Sequence, residues 1–405
     1  MSAVTENAIA HLTDDRLARR NAFVLAGAQA LAGGNSAVIF GSAGIIGAVL
    51  APDRSLATLP ITTYVVGLWI GTLPVGAIAR RYGRLAAFEA GALCGMLAGL
   101  VCATAVVFGS FTLLCLGTAF GGLYAAAHLS YRFAAADTAS EAFKPKAIAW
   151  VLTGGVLAGI FGPQLIILTK DIFPQYLFAA SYLAQAVVAI VAGVVLTLVR
   201  FPPLPQTTIA SGGRPLAQIF RQPRLIAAVI CGVASYGMMN LMMTSAPVAM
   251  IDCAYSVDDA ALGLQWHVMA MYAPSFFSGM LIARFGAGAM IGLGLSLIAA
   301  SAIAGLTGIS VAHFWLALIL LGLGWNFAFI GATAMVTQCH RPEERTRVQS
   351  VNDFLVFGSM AFGSFFSGQL LAKFGWAMIN EVVLAFMFAA ALLSLLLAAR
   401  RPQAA

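Results

Sequence analysis

Apolar residues in this chain come in long unbroken runs rather than in alternation. Twelve such runs lie at 22–50, 57–79, 85–107, 111–132, 147–169, 175–199, 225–249, 262–283, 288–308, 314–337, 348–371 and 377–399, separated by short clusters of Arg, Lys, Asp, Gly and Pro. A bilayer core about 30 Å thick needs roughly 20 apolar residues per helix. The pattern therefore predicts an all-α polytopic membrane protein with twelve transmembrane helices. A membrane β-barrel would show short alternating segments and is excluded.

Composition points the same way. Hydrophobic residues make up 61% of the 405, charged residues 9%, and the mean hydropathy is +0.92. A soluble domain carries about 25% charged residues to cover its surface. This chain cannot do so, and disorder and disulfide scaffolds fall to the same numbers. Cys94, Cys102, Cys115 and Cys231 lie inside apolar runs, Cys253 and Cys339 fall in loops, and no CxxC occurs. The six read as small apolar fillers. The polar first twenty residues and the long run after them do not read as a cleaved targeting segment.

The basic residues suggest an orientation. With both termini cytoplasmic, all but Arg54, Lys170 and Lys373 of the 22 Lys and Arg face the cytoplasm, as the positive-inside rule requires. A bacterial inner membrane is the expected location. The net charge of +7 then reports topology and contact with anionic lipid, not nucleic acid binding. Between the sixth and seventh runs stands a Pro- and Gly-rich stretch, so the expected organisation is a tail at 1–20, a six-helix bundle at 21–199, a linker at 200–224, a second bundle at 225–399 and a tail at 400–405.

The halves echo each other. Gly76, Arg80, Arg81, Tyr82, Gly83 and Arg84 follow the second run, and Gly279, Arg284, Phe285 and Gly286 follow the eighth, with Gly, Arg, aromatic and Gly at a constant offset of 203. Gly76 and Gly279 are expected to permit close helix packing, and Gly83 and Gly286 to make tight turns. Two copies in register mark an internal repeat.

On these residues the chain resembles the major facilitator superfamily, whose loop 2–3 signature reads Gly-x-x-x-Asp-Arg-x-Gly-Arg-Lys. Gly76, Arg81, Gly83 and Arg84 match; Arg80 stands in place of the acid and Leu85 in place of the last base. The resemblance implies two six-helix bundles that alternate access to a central site, by a gradient-driven or facilitated route. The fifth run carries Gly155, Gly159, Gly162 and Pro163, similar to a motif of proton-driven exporters, with helix packing as the other reading. The fourth run has Gly117 where the family often places an arginine.

In that architecture the first, fourth, seventh and tenth helices line the cavity, beside the second, fifth, eighth and eleventh. Their mid-span polar and aromatic groups are Gln29, Asn35, Tyr64, Tyr124, His128, Tyr236, Asn240, Gln265, His267, Trp325 and Asn326. The set holds amides and aromatics and no fixed charge, which suits a small neutral, partly aromatic solute. Bonding to neighbouring helices is the alternative for each group. His128, Glu89 and Asp353 are the candidates for coupling, and Arg80 or Arg84 pairing with Asp353 is a candidate gate lock. Ser130-Tyr131-Arg132-Phe133 and Gln265-Trp266-His267-Val268 are similar to a proteobacterial branch that includes exporters and riboflavin-type uptake. The expected partners are such a solute and lipid, with protons left open. No cofactor, metal or partner subunit is implied, and no hydrolase or phosphate-loop motif is present. Drug–proton export and a non-transporting receptor on the same fold remain as alternatives.

Overall fold

The computed structural model describes residues 15–140, 143–201 and 213–399. The helices are α1 (Asp15–Leu50), α2 (Leu59–Tyr82), α3 (Arg84–Phe108), α4 (Phe111–His128), the short α5 (Tyr131–Asp137), α6 (Lys144–Thr169) and α7 (Ala179–Leu196), then α8 (Leu216–Ile219), α9 (Pro223–Asp252), α10 (Val257–Tyr272), α11 (Ser275–Phe285), α12 (Ala287–Thr307), α13 (Val311–Thr337) and α14 (Arg345–Ala399). No strand occurs among the described residues. Among the described residues ten helices are long and apolar enough to cross a membrane, and α10 with α11 forms an eleventh, bent span. α14 has 55 residues and breaks at Gly375, where φ is 77°. It therefore counts as two spans, which makes twelve. Large apolar side chains such as Leu73, Phe108 and Leu395 lie exposed on these helices, as a lipid-facing surface requires.

The structure refines the spans where the apolar runs gave no warning. The fourth run ends as a helix at His128, and the chain turns into α5. The eighth is broken at Ala273-Pro274 with a bend of 43°, because a proline ring cannot sit against the carbonyl four residues back. At the break the carbonyl of Met271 accepts the Asn326 amide at 2.6 Å.

Two compact units emerge: Met1–Leu50 with Thr63–Gln206, and Ala51–Thr62 with Thr207–Ala405. In the first, α6 lies close on α1, since a Cβ on Gly154 would come within 2.2 Å of the Ala26 carbonyl and one on Gly162 within 2.5 Å of the Ala37 Cβ. Asn21 ties α1 to the chain after α7 by donating to the Arg200 carbonyl at 2.8 Å. In the second unit Thr58 donates to the Ser364 carbonyl at 2.9 Å.

Gly83 and Gly286 turn the chain with nearly the same backbone, φ/ψ of 90°/164° and 84°/154°. The repeat is thus conformational as well as sequential. The packing role expected of Gly76 and Gly279 is not realised. A Cβ at Gly279 would meet nothing within 4 Å, and one at Gly76 would meet only the Arg80 side chain.

An ion pair between half-buried Arg214 and buried Glu344 closes the second unit at the loop between α13 and α14. Glu344 accepts from the Arg214 backbone N–H at 2.8 Å, from Arg214 Nε at 2.9 Å and Nη2 at 2.8 Å, and from the Arg341 N–H at 2.9 Å. The Arg214 side-chain bonds, then the Arg341 amide, hold its carboxyl well below the usual glutamate range. A depressed folded-state pKa stabilises above the unfolded value of about 4.3, and the stabilisation fades as pH falls further. Purified protein should therefore lose thermal stability as the pH is lowered below about 4, and Glu344→Gln should flatten that limb. Superimposable profiles for the two proteins would show that this pair does not govern it.

Candidate functional site

In the first unit the polar groups converge on His128, at the end of α4. His128 is 7% exposed. Its Nδ1 lies 3.4 Å from Gln29 Nε2, and its Nε2 lies 3.2 Å from Ser36 Oγ. An amide nitrogen can only donate, so Nδ1 accepts and the Nε2–H donates to Ser36. Tyr64 donates to the same serine oxygen at 2.7 Å. Four residues from α1, α2 and α4 thus form one chain that satisfies a neutral imidazole. The Tyr124 and Tyr131 rings flank it edge-on at 6.0 and 6.3 Å.

Asn35 behaves differently. It is 2% exposed, and neither its Oδ1 nor its Nδ2 has a hydrogen-bond partner. The same holds for the hydroxyls of Tyr124 and Tyr131 and for Glu89 Oε1.

In the second unit aromatic rings converge. Trp325 on α13 stacks on Phe329 with centroids 5.2 Å apart and planes 15° from parallel. Tyr236 of α9 meets both rings edge-on, at 5.1 and 4.8 Å. Tyr272 of α10 and Phe357 of α14 complete the cluster at 6.4 Å from Trp325 and from Tyr236 respectively. Trp325 is buried while the other four are half-buried, so the cluster has an open side. The indole Nε1–H of Trp325 is buried without an acceptor. Edge-on and offset rings with a spare N–H can hold a planar ligand that carries an acceptor at its rim.

The remaining predicted groups are engaged in bracing. Asn326 is fully buried; it donates to the Met271 carbonyl and, at 2.8 Å, to Ser275 Oγ, and accepts from Ser278 at 2.6 Å. Its amide is used in holding the broken α10–α11 span. Asn240 donates to the Met360 carbonyl at 2.8 Å, which joins α9 to α14 and leaves its Oδ1 unpartnered. His267 Nδ1 donates to the Leu318 carbonyl at 2.8 Å, so its Nε2 faces the interior as an acceptor. Gln265 is half-buried on the same helix.

Among the motif residues, Arg84 forms an ion pair with Asp137 of α5, inside its own unit. Asp353 is exposed and accepts from Asn352 at 3.2 Å. Arg80 and Arg81 are exposed at the end of α2, and the Arg81 and Arg284 guanidinium groups lie over the neighbouring Tyr82 and Phe285 rings. Gly162 makes the α1–α6 approach already described, while α6 runs on through Pro163 without a break.

Sequence reasoning missed Ser36, Asp137, Phe329, Phe357 and Tyr272. Phe329 was legible, since it stands four residues after Trp325 and so shares its face. Asp137 was not, because 53 residues separate it from Arg84.

A family model described as the Major Facilitator Superfamily matches residues 25–275. The riboflavin transporter RfnT of Brucella anthropi is 49% identical over 374 residues, spanning 92% of this chain and 94% of that protein. Among solved structures, a mutant of the nucleoside transporter NupG superposes with a TM-score of 0.72 at 12% identity, over 94% of this chain and 99% of that one. A bacterial homologue of the human lysosomal transporter Spinster gives 0.70 at 16% identity, over 93% and 96%.

Proposed function

The chain belongs to the Major Facilitator Superfamily, and on that premise we propose that this multi-pass transporter moves a small neutral solute with a planar aromatic ring, of riboflavin type, by alternating access. The carrying observation is the ring cluster of Tyr236, Trp325 and Phe329 with its unused indole N–H. An isoalloxazine is flat, apolar on its faces and rich in rim acceptors, so it matches such a cluster. The identity to a protein named as a riboflavin transporter supports the same reading. The distribution of Lys and Arg supports a bacterial inner membrane with both termini cytoplasmic. The protein performs no chemistry on its solute and works as a monomer without cofactor.

Expression in a riboflavin-requiring bacterium that lacks its own transporter tests this directly. Growth on low external riboflavin should be restored, and labelled riboflavin should accumulate in the cells. No uptake combined with new resistance to toxic dyes would replace this reading by drug export.

A further inference from the structure

The chain of Gln29, His128, Ser36 and Tyr64 in the first unit leaves hydrogen-bonding capacity unspent at two points. Ser36 Oγ accepts twice, from the His128 Nε2–H at 3.2 Å and from the Tyr64 hydroxyl at 2.7 Å. A serine oxygen has two lone pairs and one O–H. Both lone pairs are therefore occupied, and the O–H must seek a third partner. Among the described residues it has none. Other hydroxyls on the same three helices turn back onto their own helix. Ser42 donates to the Val38 carbonyl at 2.6 Å, Thr62 to Thr58 at 3.2 Å and Thr118 to Leu114 at 3.1 Å. The two groups that donate to Ser36 hold it out of that default.

Gln29 is the second point. One N–H of its amide goes to His128 Nδ1, and among the described residues its other N–H and its Oε1 have no partner. Gln29 and Ser36 are two helical turns apart and so share a face of α1. Both are half-buried, whereas His128 and Tyr64 behind them are 7 and 4% exposed. The Tyr124 and Tyr131 rings wedge the imidazole edge-on, which fixes the direction of its two bonds. Amide and hydroxyl groups open to hydrocarbon would be costly, so the open side of this pair faces water or solute.

No charge enters the set. Gln29, Ser36 and Tyr64 are neutral, and His128 can accept at Nδ1 only as a neutral imidazole. An ion would find no counter-charge here. A hydroxyl fits, because it both donates and accepts: one can donate to Gln29 Oε1 and another accept the Ser36 O–H.

We propose that Gln29 and Ser36, held in place by His128 and Tyr64, form a binding site for a neutral polyol chain, which in a solute of riboflavin type is the ribityl group. The inference deepens the transport reading above and rests on it for the identity of the solute. His128 and Tyr64 are positioning residues: they occupy the serine lone pairs, so that Ser36 meets the solute as a donor alone. A phosphate at the end of the polyol would lose its water and gain no cation from this set, so the phosphorylated flavin is discriminated against.

The test compares riboflavin with lumiflavin, which carries the same ring with a methyl group in place of the ribityl chain. Quenching of flavin fluorescence by the full-length protein in detergent reads both affinities. The wild type should bind riboflavin more tightly than lumiflavin and more tightly than riboflavin 5′-phosphate. Ser36→Ala and Gln29→Leu should each weaken riboflavin by roughly 2- to 10-fold, the worth of one hydrogen bond, and leave lumiflavin unchanged. A role in bracing α1 against α4 would instead weaken both flavins together and lower the melting temperature; the second variant keeps the comparison open should the first fail to fold. Equal affinities of the wild type for riboflavin and lumiflavin, an unchanged ratio in both variants, or tighter binding of the phosphate would each overturn the site. If the wild type binds neither flavin, the solute reading fails and ribitol alone decides the site. A rise in melting temperature with millimolar ribitol that is confined to the wild type upholds it, and equal shifts in wild type and Ser36→Ala overturn it.

Discussion

Trp325→Ala weakens riboflavin binding by roughly 5- to 150-fold in the expected outcome, equivalent to about 1–3 kcal/mol for one lost aromatic anchor. The indole supplies a stacking face and the one unspent buried N–H of the cluster. Tyr236→Ala should follow with a smaller loss, since its ring holds both Trp325 and Phe329 edge-on. Trp325→Phe keeps a ring but not the N–H, and should fall between wild type and alanine. Quenching of riboflavin fluorescence in detergent reads the affinity, and a melting curve of each variant separates binding from folding. Equal affinity in wild type and Trp325→Ala would remove the aromatic cluster as the solute site. Asn326 makes the useful contrast. All of its bonds brace α10, α11 and α13, so Asn326→Ala should lower the melting temperature without this selective loss of affinity.

Gly122→Ala is the second large effect. A Cβ there would come within 2.0 Å of the Tyr64 carbonyl oxygen and 2.6 Å of the Leu68 nitrogen. Both are backbone atoms of α2 and cannot rotate away, so the helix itself must shift. Overpacking of this kind costs about 1–3 kcal/mol and more when backbone is struck. The shift also moves Tyr64 away from Ser36, and with it the His128 chain. Folded yield and melting temperature should both drop. Gly27→Ala and Gly292→Ala, where a Cβ would meet nothing within 4 Å, should be neutral or slightly stabilising, as alanine is the better helix former by about 1 kcal/mol. If Gly122→Ala melted with these controls, the α2–α4 approach would not be as close as described.

The sequence by itself determined the helices. Lipid offers backbone groups no partners, so every long apolar run must close its hydrogen bonds internally, and the runs could be read directly. Gly83 and Gly286 were equally legible, because a turn at positive φ selects glycine and the offset of 203 repeats it. The break in the eighth run was not legible, because Pro163 is equally internal and leaves its helix continuous whereas Pro274 does not. Tertiary structure alone decided which polar residues are already satisfied. Asn35, Asn240 and Asn326 look alike in sequence, yet Asn326 is saturated, Asn240 is half used and Asn35 has no partner. A helix apolar on nearly all sides carries no stripe to say which face meets which neighbour. That choice follows from close approaches such as Gly95 beneath Tyr124 and Gly122 against Tyr64, which join residues far apart in the chain and leave no periodic trace along it.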